Sequence, residues 1–337
     1  MAILITGGAG YIGSHTVKEL LGQGYEVITL DNLRKGHRAA VLGGTFILGD
    51  LADKQLLNEI FSNNPIEAVV HFAADSLVGE SMTAPARYFE NNIVNGLNLL
   101  NAMLDHGVKA LVFSSTAAVY GEPEEWPITE DFAKVPTNNY GLTKLQFEEI
   151  LQAYDRAYGL RYMSLRYFNA AGADPSAEIG EDHNPETHLI PLVLQAALGQ
   201  REQITVFGTD YATPDGTCIR DYIHVTDLAQ AHILALRTLL EGKPSNVYNL
   251  GNGSGYSVRE VIEVARRVTG REIKVVEGER RPGDPAVLVA SSERIKAELG
   301  WKPRYPELET IIESAWRWHC SHPQGFSCCR RIENPKS

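Results

Sequence analysis

Cysteine is scarce in this sequence. Four occur in 337 residues, Cys218, Cys320, Cys328 and Cys329, and two of these are adjacent. No pair has metal-ligand spacing to another pair, which argues against a disulfide framework and for a reducing compartment. Basic residues are outnumbered: 31 Lys and Arg against 42 Asp and Glu leave a formal net charge of -11. A duplex-binding surface needs a basic face to replace phosphate counterions, so no nucleic acid partner is expected. Long apolar runs are also missing. None approaches the ~20 residues needed to span a bilayer, so no membrane partner is expected either. The opening Met-Ala-Ile-Leu-Ile-Thr reads as a strand and lacks the basic start and apolar stretch of a signal peptide. The expected location is cytoplasmic. No zinc or Walker-type motif and no nucleophile–His–Asp set is visible, so no metal is expected.

What is present is an ordinary globular composition, 44% hydrophobic and 22% charged. The length suggests about two domains. Short apolar runs at 3–6, 26–30, 46–48, 68–72, 111–113 and 163–165 read as strands. Helical patterns lie between them, at 15–21 and around 95–103. Near-continuous apolar strands separated by helices indicate an α/β fold with a doubly wound parallel sheet. From about residue 173 the texture changes. Residues 174–186 are rich in acid, Pro and Gly and read as a long surface loop. A helix at 189–198, a strand at 205–207, a helix at 258–268 and turn signals at 282–285 fit a smaller mixed α/β domain. Residues 247–250 resemble another buried strand, so the chain is expected to return to the first domain over 220–250. The assignment is therefore 1–173 plus that return for one domain, 174–219 and 251–326 for the other. Residues 327–337 carry no periodic apolar residues and are expected to form a disordered tail.

The run Gly7-Gly8-Ala9-Gly10-Tyr11-Ile12-Gly13 follows a strand and opens a helix. Glycines at Gly7, Gly10 and Gly13 let the chain turn sharply, approach a pyrophosphate and seat the helix close to the strand. The helix N-terminus then offers free N–H groups to phosphate. Asp31 ends the next strand, where a carboxylate accepts hydrogen bonds from adenosine ribose hydroxyls and repels a 2′-phosphate. This favours NAD over NADP. Arg34 and Lys35 are the opposing signal, because either cation can pair with such a phosphate. Asp50 ends the third strand, where it can meet an adenine amino group or cap a loop.

Tyr140 and Lys144 stand four residues apart at the start of a helix announced by Asn138 and Asn139. That spacing shares a helix face. An ammonium on that face favours the phenolate and lowers the phenol pKa, which suits the pair to proton exchange with a sugar or alcohol hydroxyl. Ser114, Ser115 and Thr116 end the fifth strand, at the sheet edge where ligands bind. Their hydroxyls can bond the same reacting oxygen. These elements describe hydride chemistry at an alcohol carbon.

The phrases carrying these residues resemble the extended short-chain dehydrogenase/reductase superfamily and, within it, the UDP-glucose (UDP-galactose) 4-epimerase family. The shared strings are Thr6-Gly7-Gly8-Ala9-Gly10-Tyr11-Ile12-Gly13-Ser14-His15, Asp31-Asn32-Leu33, His71-Phe72-Ala73-Ala74 and Val78-Gly79-Glu80-Ser81. Residues 114–121, Arg166-Tyr167-Phe168-Asn169, Gly180-Glu181-Asp182, 215–225 and His322-Pro323-Gln324-Gly325-Phe326 continue the likeness. It spans about 1–326. The resemblance implies a Rossmann-type fold and a tightly held NAD that takes hydride from sugar C4 and returns it to the other face of a 4-keto sugar. It implies Tyr140 as acid/base, Lys144 as its pKa setter and ribose ligand, and Thr116 as hydrogen-bond partner of the reacting oxygen.

By the same resemblance, NAD contacts fall on Tyr11, Ile12, Asp31, Asn32, Leu33, Arg34, Lys35, Gly36, Asp50 and Leu51. They continue on Phe72, Ala73, Ala74, Ser76, Asn91 and Phe168. Contacts to a UDP-hexose fall on Asn169, Leu189, Thr205, Val206, Phe207, Arg220, Arg281 and Asp284. A diphosphate needs cations, and Arg220 and Arg281 offer planar forks for it; the plainer reading pairs them with Asp221 and Asp284 at the surface. Phe207 suits either a uracil or ribose face or a core. The family also implies a homodimer through paired helices of the first domain.

Three positions depart from the family pattern. Some relatives have Lys where Ser76 stands, and many have Asn where His188 stands; His188 is given no role. Leu288 matches a pocket-wall position that is a bulky Tyr in some members, and the smaller Leu suggests room for N-acetylated UDP-hexoses. A 4,6-dehydratase needs an extra acid after the reacting hydroxyl residue, and Ala117 and Ala118 cannot supply one. An NAD-binding regulator without catalysis would tend to lose Tyr140 or Lys144, and both are present.

Overall fold

The protein is described here by a computed structural model covering residues 2–281 and 284–327. β1 (Ala2–Thr6) leads into α1 (Tyr11–Gly22), β2 (Glu26–Asp31) and β3 (Thr45–Leu48). α2 (Lys54–Asn63) and β4 (Ile66–His71) follow, then the short α3 (Val78–Thr83) and α4 (Pro85–Phe89). α5 (Asn95–Asp105), β5 (Ala110–Thr116), α6 (Asn139–Tyr158) and β6 (Arg161–Tyr167) complete the first half.

The second half holds β7 (Asn169–Ala171), α7 (Leu189–Ala197), β8 (Ile204–Phe207), β9 (Ile219–Arg220) and β10 (Tyr222–His224). Next come α8 (Val225–Leu240), β11 (Asn246–Leu250), β12 (Tyr256–Ser257) and α9 (Val258–Thr269). β13 (Val275–Gly278), β14 (Val287–Leu288), α10 (Glu293–Leu299) and α11 (Leu308–Ser321) end the described chain.

Seven strands form one sheet in the order β11-β6-β5-β4-β1-β2-β3, and every pairing in it is parallel. This is the doubly wound Rossmann arrangement with one added strand. All of β1 is buried because both sheet faces are covered. α1 and α8 cover one face around Ile3, Val17 and Leu236. α2, α5 and α6 cover the other around Leu57, Leu99 and Phe147. The strand order reverses between β1 and β4, the switch point outside which such sheets bind ligands. A third core forms among α7, α9, α11 and β8, with Leu194, Val261 and Ile312 at its centre. Beside it β13 pairs with β8, and β9 lies between β12 and β14.

Two expectations need correction. Residues 174–186 form no regular element, but they are not a surface loop throughout. Asp174, Ile179 and Glu181 are buried, Ile179 beside Trp318 and Phe326. Lys18 Nζ reaches the Asp174 carboxylate at 2.7 Å, which makes that burial tolerable. Sequence periodicity also missed α8. Eleven of its sixteen residues are buried, so it has no broad polar face to set a 3.6-residue contrast. Pro282 and Gly283 of the expected turn and 328–337 of the expected tail lie outside the described residues.

Candidate active site

The turn after β1 is tight because glycine permits it. Gly7 has φ +74°, and a Cβ there would lie 2.5 Å from the Ala73 amide nitrogen. A Cβ on Gly13 would strike the Gly7 carbonyl oxygen. Gly10 caps α1 with no side-chain hydrogen bond, and the first turn carries no acidic residue. The N-terminus of α1 therefore keeps its affinity for an anion.

Asp31 braces this turn from β2. Its Oδ2 accepts from the Ala9 N–H at 2.9 Å and its Oδ1 from the Leu33 N–H at 2.8 Å. Each oxygen retains a lone pair for a ribose hydroxyl. Burial raises the Asp31 pKa, and the two amides act against that rise. Leu33 takes a positive φ of 59°, and Gly36 packs against Ala9. The two cations that could favour a 2′-phosphate are engaged elsewhere. Arg34 reaches the buried Asp75 carboxylate at 2.7 Å, and Lys35 donates to the Asn184 carbonyl at 3.1 Å. Asn32 donates to Asp50 at 2.6 Å.

The remaining cofactor candidates line the β4 side or anchor it. Phe72 and Ala73 donate their N–H groups to the Thr6 carbonyl at 2.9 and 3.1 Å, tying the β4 exit to the β1 exit. The Phe72 ring packs on His232. Ala74 is half-buried and Ser76 exposed. Asn91 sits in a helical turn, Glu90–Val94, and donates to Asn92, which clamps the Asp75 backbone through both its N–H and C=O. Leu51 is the exception. Its side chain is buried in the α2–α5 core and its carbonyl accepts from Asn98, so a ligand can meet only its backbone. Tyr11 spends its hydroxyl on the Gly172 carbonyl at 2.6 Å, and Ile12 packs into the α1–α8 core.

α6 brings Tyr140 and Lys144 over the end of β5. Asn138 caps it, accepting from the Gly141 N–H at 2.8 Å. Lys144 is buried, with Nζ 6.0 Å from the Tyr140 ring centroid and 2.8 Å from the Ser114 carbonyl oxygen. Burial lowers the Lys144 pKa to about 7, and the Glu148 charge resists that fall. Burial also raises the Tyr140 pKa, against the pull of the neighbouring Thr116 hydroxyl. Desolvation thus drives both groups toward neutrality, and the Thr116 hydroxyl is what opposes it at the phenol. Thr116 caps the following turn by accepting from the Ala118 N–H.

The second-half residues gather around β8, β9 and β14. Arg220 pairs with Asp284, and the Arg281 guanidinium lies over the Phe207 ring at 4.0 Å. Phe207 is half-buried rather than a core residue, as is Thr205, whereas Val206 is buried. Asp221 is not a partner of either arginine. It is buried and accepts from the N–H groups of Asn252, Gly253 and Ala290. Asn169 donates to the Asp221 carbonyl at 3.0 Å. Leu288 and Phe168 pack on Val119, Tyr120 and Ile128, which links β14 to the turn after Thr116. Leu189 starts α7 and packs on the third core.

The profile of the NAD dependent epimerase/dehydratase family matches residues 3–251. The chain belongs to this family. It is also similar to a UDP-glucose 4-epimerase of Halalkalibacterium halodurans, 59% identical over 327 residues, which are 97% of this chain and 98% of the relative. A UDP-glucose 4-epimerase from Brucella ovis, solved in complex with NAD, superposes with a TM-score of 0.92 at 48% identity, covering 94% of this chain and 97% of that one. A UDP-glucose 4-epimerase from Bifidobacterium longum, solved with NAD+ and UDP, superposes with a TM-score of 0.91 at 40% identity, covering 97% of this chain and 100% of that one.

Within this epimerase/dehydratase frame, sequence reading missed two groups of residues. Beneath Lys144, Glu148 holds Arg166 through Nε at 2.9 Å and Nη2 at 2.5 Å, and accepts from Ser115 at 2.6 Å. Arg166 continues to Tyr120, which donates to Asn249. Glu148 follows Lys144 by four, which puts it on the same helix face, but its partner is remote in sequence. The second group is Glu181, His183, Glu186 and His188, gathered on one side of Tyr11. Their alternation in the chain was the available signal.

Proposed function

We infer that the chain interconverts UDP-galactose and UDP-glucose at sugar C4. The observation that carries this is the convergence of Tyr140, Thr116 and Lys144 over the end of β5, on the sheet edge that also holds the glycine turn. The fit for NAD rests on the bare Gly10 cap, the Asp31 carboxylate and the engaged Arg34. Bound NAD+ supplies the hydride chemistry, through a 4-keto sugar, and a positive ring charge that favours the phenolate.

The residues divide the remaining work. Tyr140 Oη takes the proton of the C4 hydroxyl and returns it after the sugar turns. Thr116 Oγ1 bonds the same oxygen and orients it. Lys144 Nζ holds the ribose and biases the phenol. Gly7, Gly10, Gly13, Tyr11 and Ile12 form the pyrophosphate turn. Arg220 and Arg281 clamp the UDP diphosphate, Arg220 leaving Asp284 to do so, while Phe207 offers a face to the uridine. Clamping the nucleotide leaves the hexose free to rotate. In this reading residues 1–173 with 220–250 hold the cofactor, and 174–219 with 251–326 hold the nucleotide sugar.

Replacing Tyr140 by Phe should leave NAD bound and lower turnover about 10²–10⁴-fold, the usual size of lost acid–base catalysis. Near-normal activity in Y140F overturns the assignment. Leu288 is half-buried against Val119, Tyr120 and Ile128 and is smaller than the Tyr that some family members carry, which supports turnover of N-acetylated UDP-hexoses as well. A coupled assay of UDP-GlcNAc at high enzyme should show product; none would remove that extension. The family resemblance supports a homodimer through helices of the cofactor-binding half. Sedimentation should give the mass of two chains, and a single-chain mass at micromolar concentration counts against it.

A further inference from the structure

We propose that Glu181, His183, Glu186 and His188 bind one divalent transition-metal ion of the zinc class. One donor atom from each lies within 4.8 Å of the others. His188 Nδ1 is 2.6 Å from a Glu181 oxygen and 3.3 Å from a Glu186 oxygen. His183 Nδ1 is 3.2 and 3.8 Å from oxygens of the same two carboxylates. Donors bound tetrahedrally at 2.0–2.2 Å from an ion stand about 3.4 Å apart. The cluster already brackets that spacing. Two imidazoles with two carboxylates are a donor set that suits zinc.

The surroundings point the same way. His15 of α1 and His319 of α11 are buried close enough for the Glu181 charge to act on them, yet Nε2 of each has no hydrogen-bond partner among the described residues. The Trp318 indole donates to the Glu181 carbonyl, and Glu186 accepts from the N–H groups of Thr187 and His188, so the carboxylate-bearing chain is held in place. His188 is exposed enough to give an ion a way in.

Charge balance favours exchange of protons for the ion. The two carboxylates raise the His183 pKa to about 9 and the His188 pKa to about 10, against burial. At pH 7 the cluster carries two imidazolium and two carboxylate charges. A divalent ion with two neutral imidazoles gives the same total. A bound ion would take the place that the imidazole protons now hold against the two carboxylates. The other titratable groups packed here are Tyr11 and His15 of α1, His319 of α11, and Asp182 and His37. Burial keeps the Tyr11 phenol protonated and the His15 and His319 imidazoles neutral.

The ion's role is to staple. Four protein donors leave no open position, which marks a structural rather than a catalytic site. Tyr11, on the glycine turn, sits 6.0 Å from the His183 ring, and His188 immediately precedes Leu189. The ion would tie residues 181–186 to the start of α7, beside Tyr11 of the cofactor turn.

Cobalt(II) is the probe. Chelator-stripped full-length protein titrated with Co²⁺ at pH 7.5 should develop a visible d–d band that saturates at one ion per chain. Zn²⁺ should abolish the band. Affinity should drop more than about 100-fold in the His183→Gln/His188→Gln variant, beyond the cost of losing an outer partner. A featureless spectrum overturns the proposal, as does unchanged affinity in the double variant. If that variant does not fold, the wild-type spectrum and its loss on adding Zn²⁺ decide alone.

Discussion

Lys144 is a charge the fold can hold only at a cost. Its ordinary pKa of 10.5 is lowered to about 7 by burial. Below pH 7 the amine is charged in both folded and unfolded chains, and the burial penalty is fully present. Between pH 7 and 10.5 the unfolded chain binds more protons, so the penalty shrinks as pH rises. The Lys144→Met variant should therefore be more stable than the parent by on the order of 3–4 kcal/mol below pH 7, after subtracting about 1 for the lost Ser114 hydrogen bond. The gain should fade by pH 10, and activity should be lost. Urea titrations of nucleotide-stripped protein at pH 6.5 and 9.5 check this; equal or lower stability at pH 6.5 contradicts it. Such a cost fits a group kept for its chemistry rather than for the fold. Tyr140 and Lys144 were legible from four-residue spacing. The direction of the phenol's shift was not, because desolvation depends on what a helix is packed against.

At the scale of elements, α6 must sit correctly on β5 for Tyr140 to meet Thr116. The Glu148–Arg166 pair, with Ser115 of β5 bonded to the same carboxylate, sets that seat. Replacing Glu148 by Gln leaves a buried guanidinium without its counter-charge, which typically costs 3–5 kcal/mol. The E148Q variant should lose about that much stability, read from its urea midpoint, and lose turnover with it. A midpoint unchanged within error would show that the pair does not hold α6.

The parallel strands were legible because apolar residues run continuously along them, and the glycine turn because its spacing joins a strand to a helix. α8 was not legible, since burial on most sides leaves no period to read. The engagement of Arg34 by Asp75 was hidden as well. The two residues are 41 positions apart and meet only when the β2 and β4 exits come together. That pairing, rather than the count of cations near Asp31, decides how available Arg34 is to a phosphate.

Over the whole molecule, we propose that an acidic chain of net charge -11 holds an anionic nucleotide sugar through a few placed cations. The cofactor turn lies far in sequence from both Arg220 and Arg281. β11, between Arg220 and Arg281 in the chain, returns to the first sheet. In the proposed reading, nucleotide anchoring and redox chemistry are separate, so the sugar alone turns over. NAD then ends each cycle in the state in which it began. Incubating purified protein with UDP-galactose and no added NAD tests this most directly. UDP-glucose should form up to the equilibrium ratio with no net NADH. A dependence on added NAD, or NADH accumulating in step with a keto sugar, would contradict it.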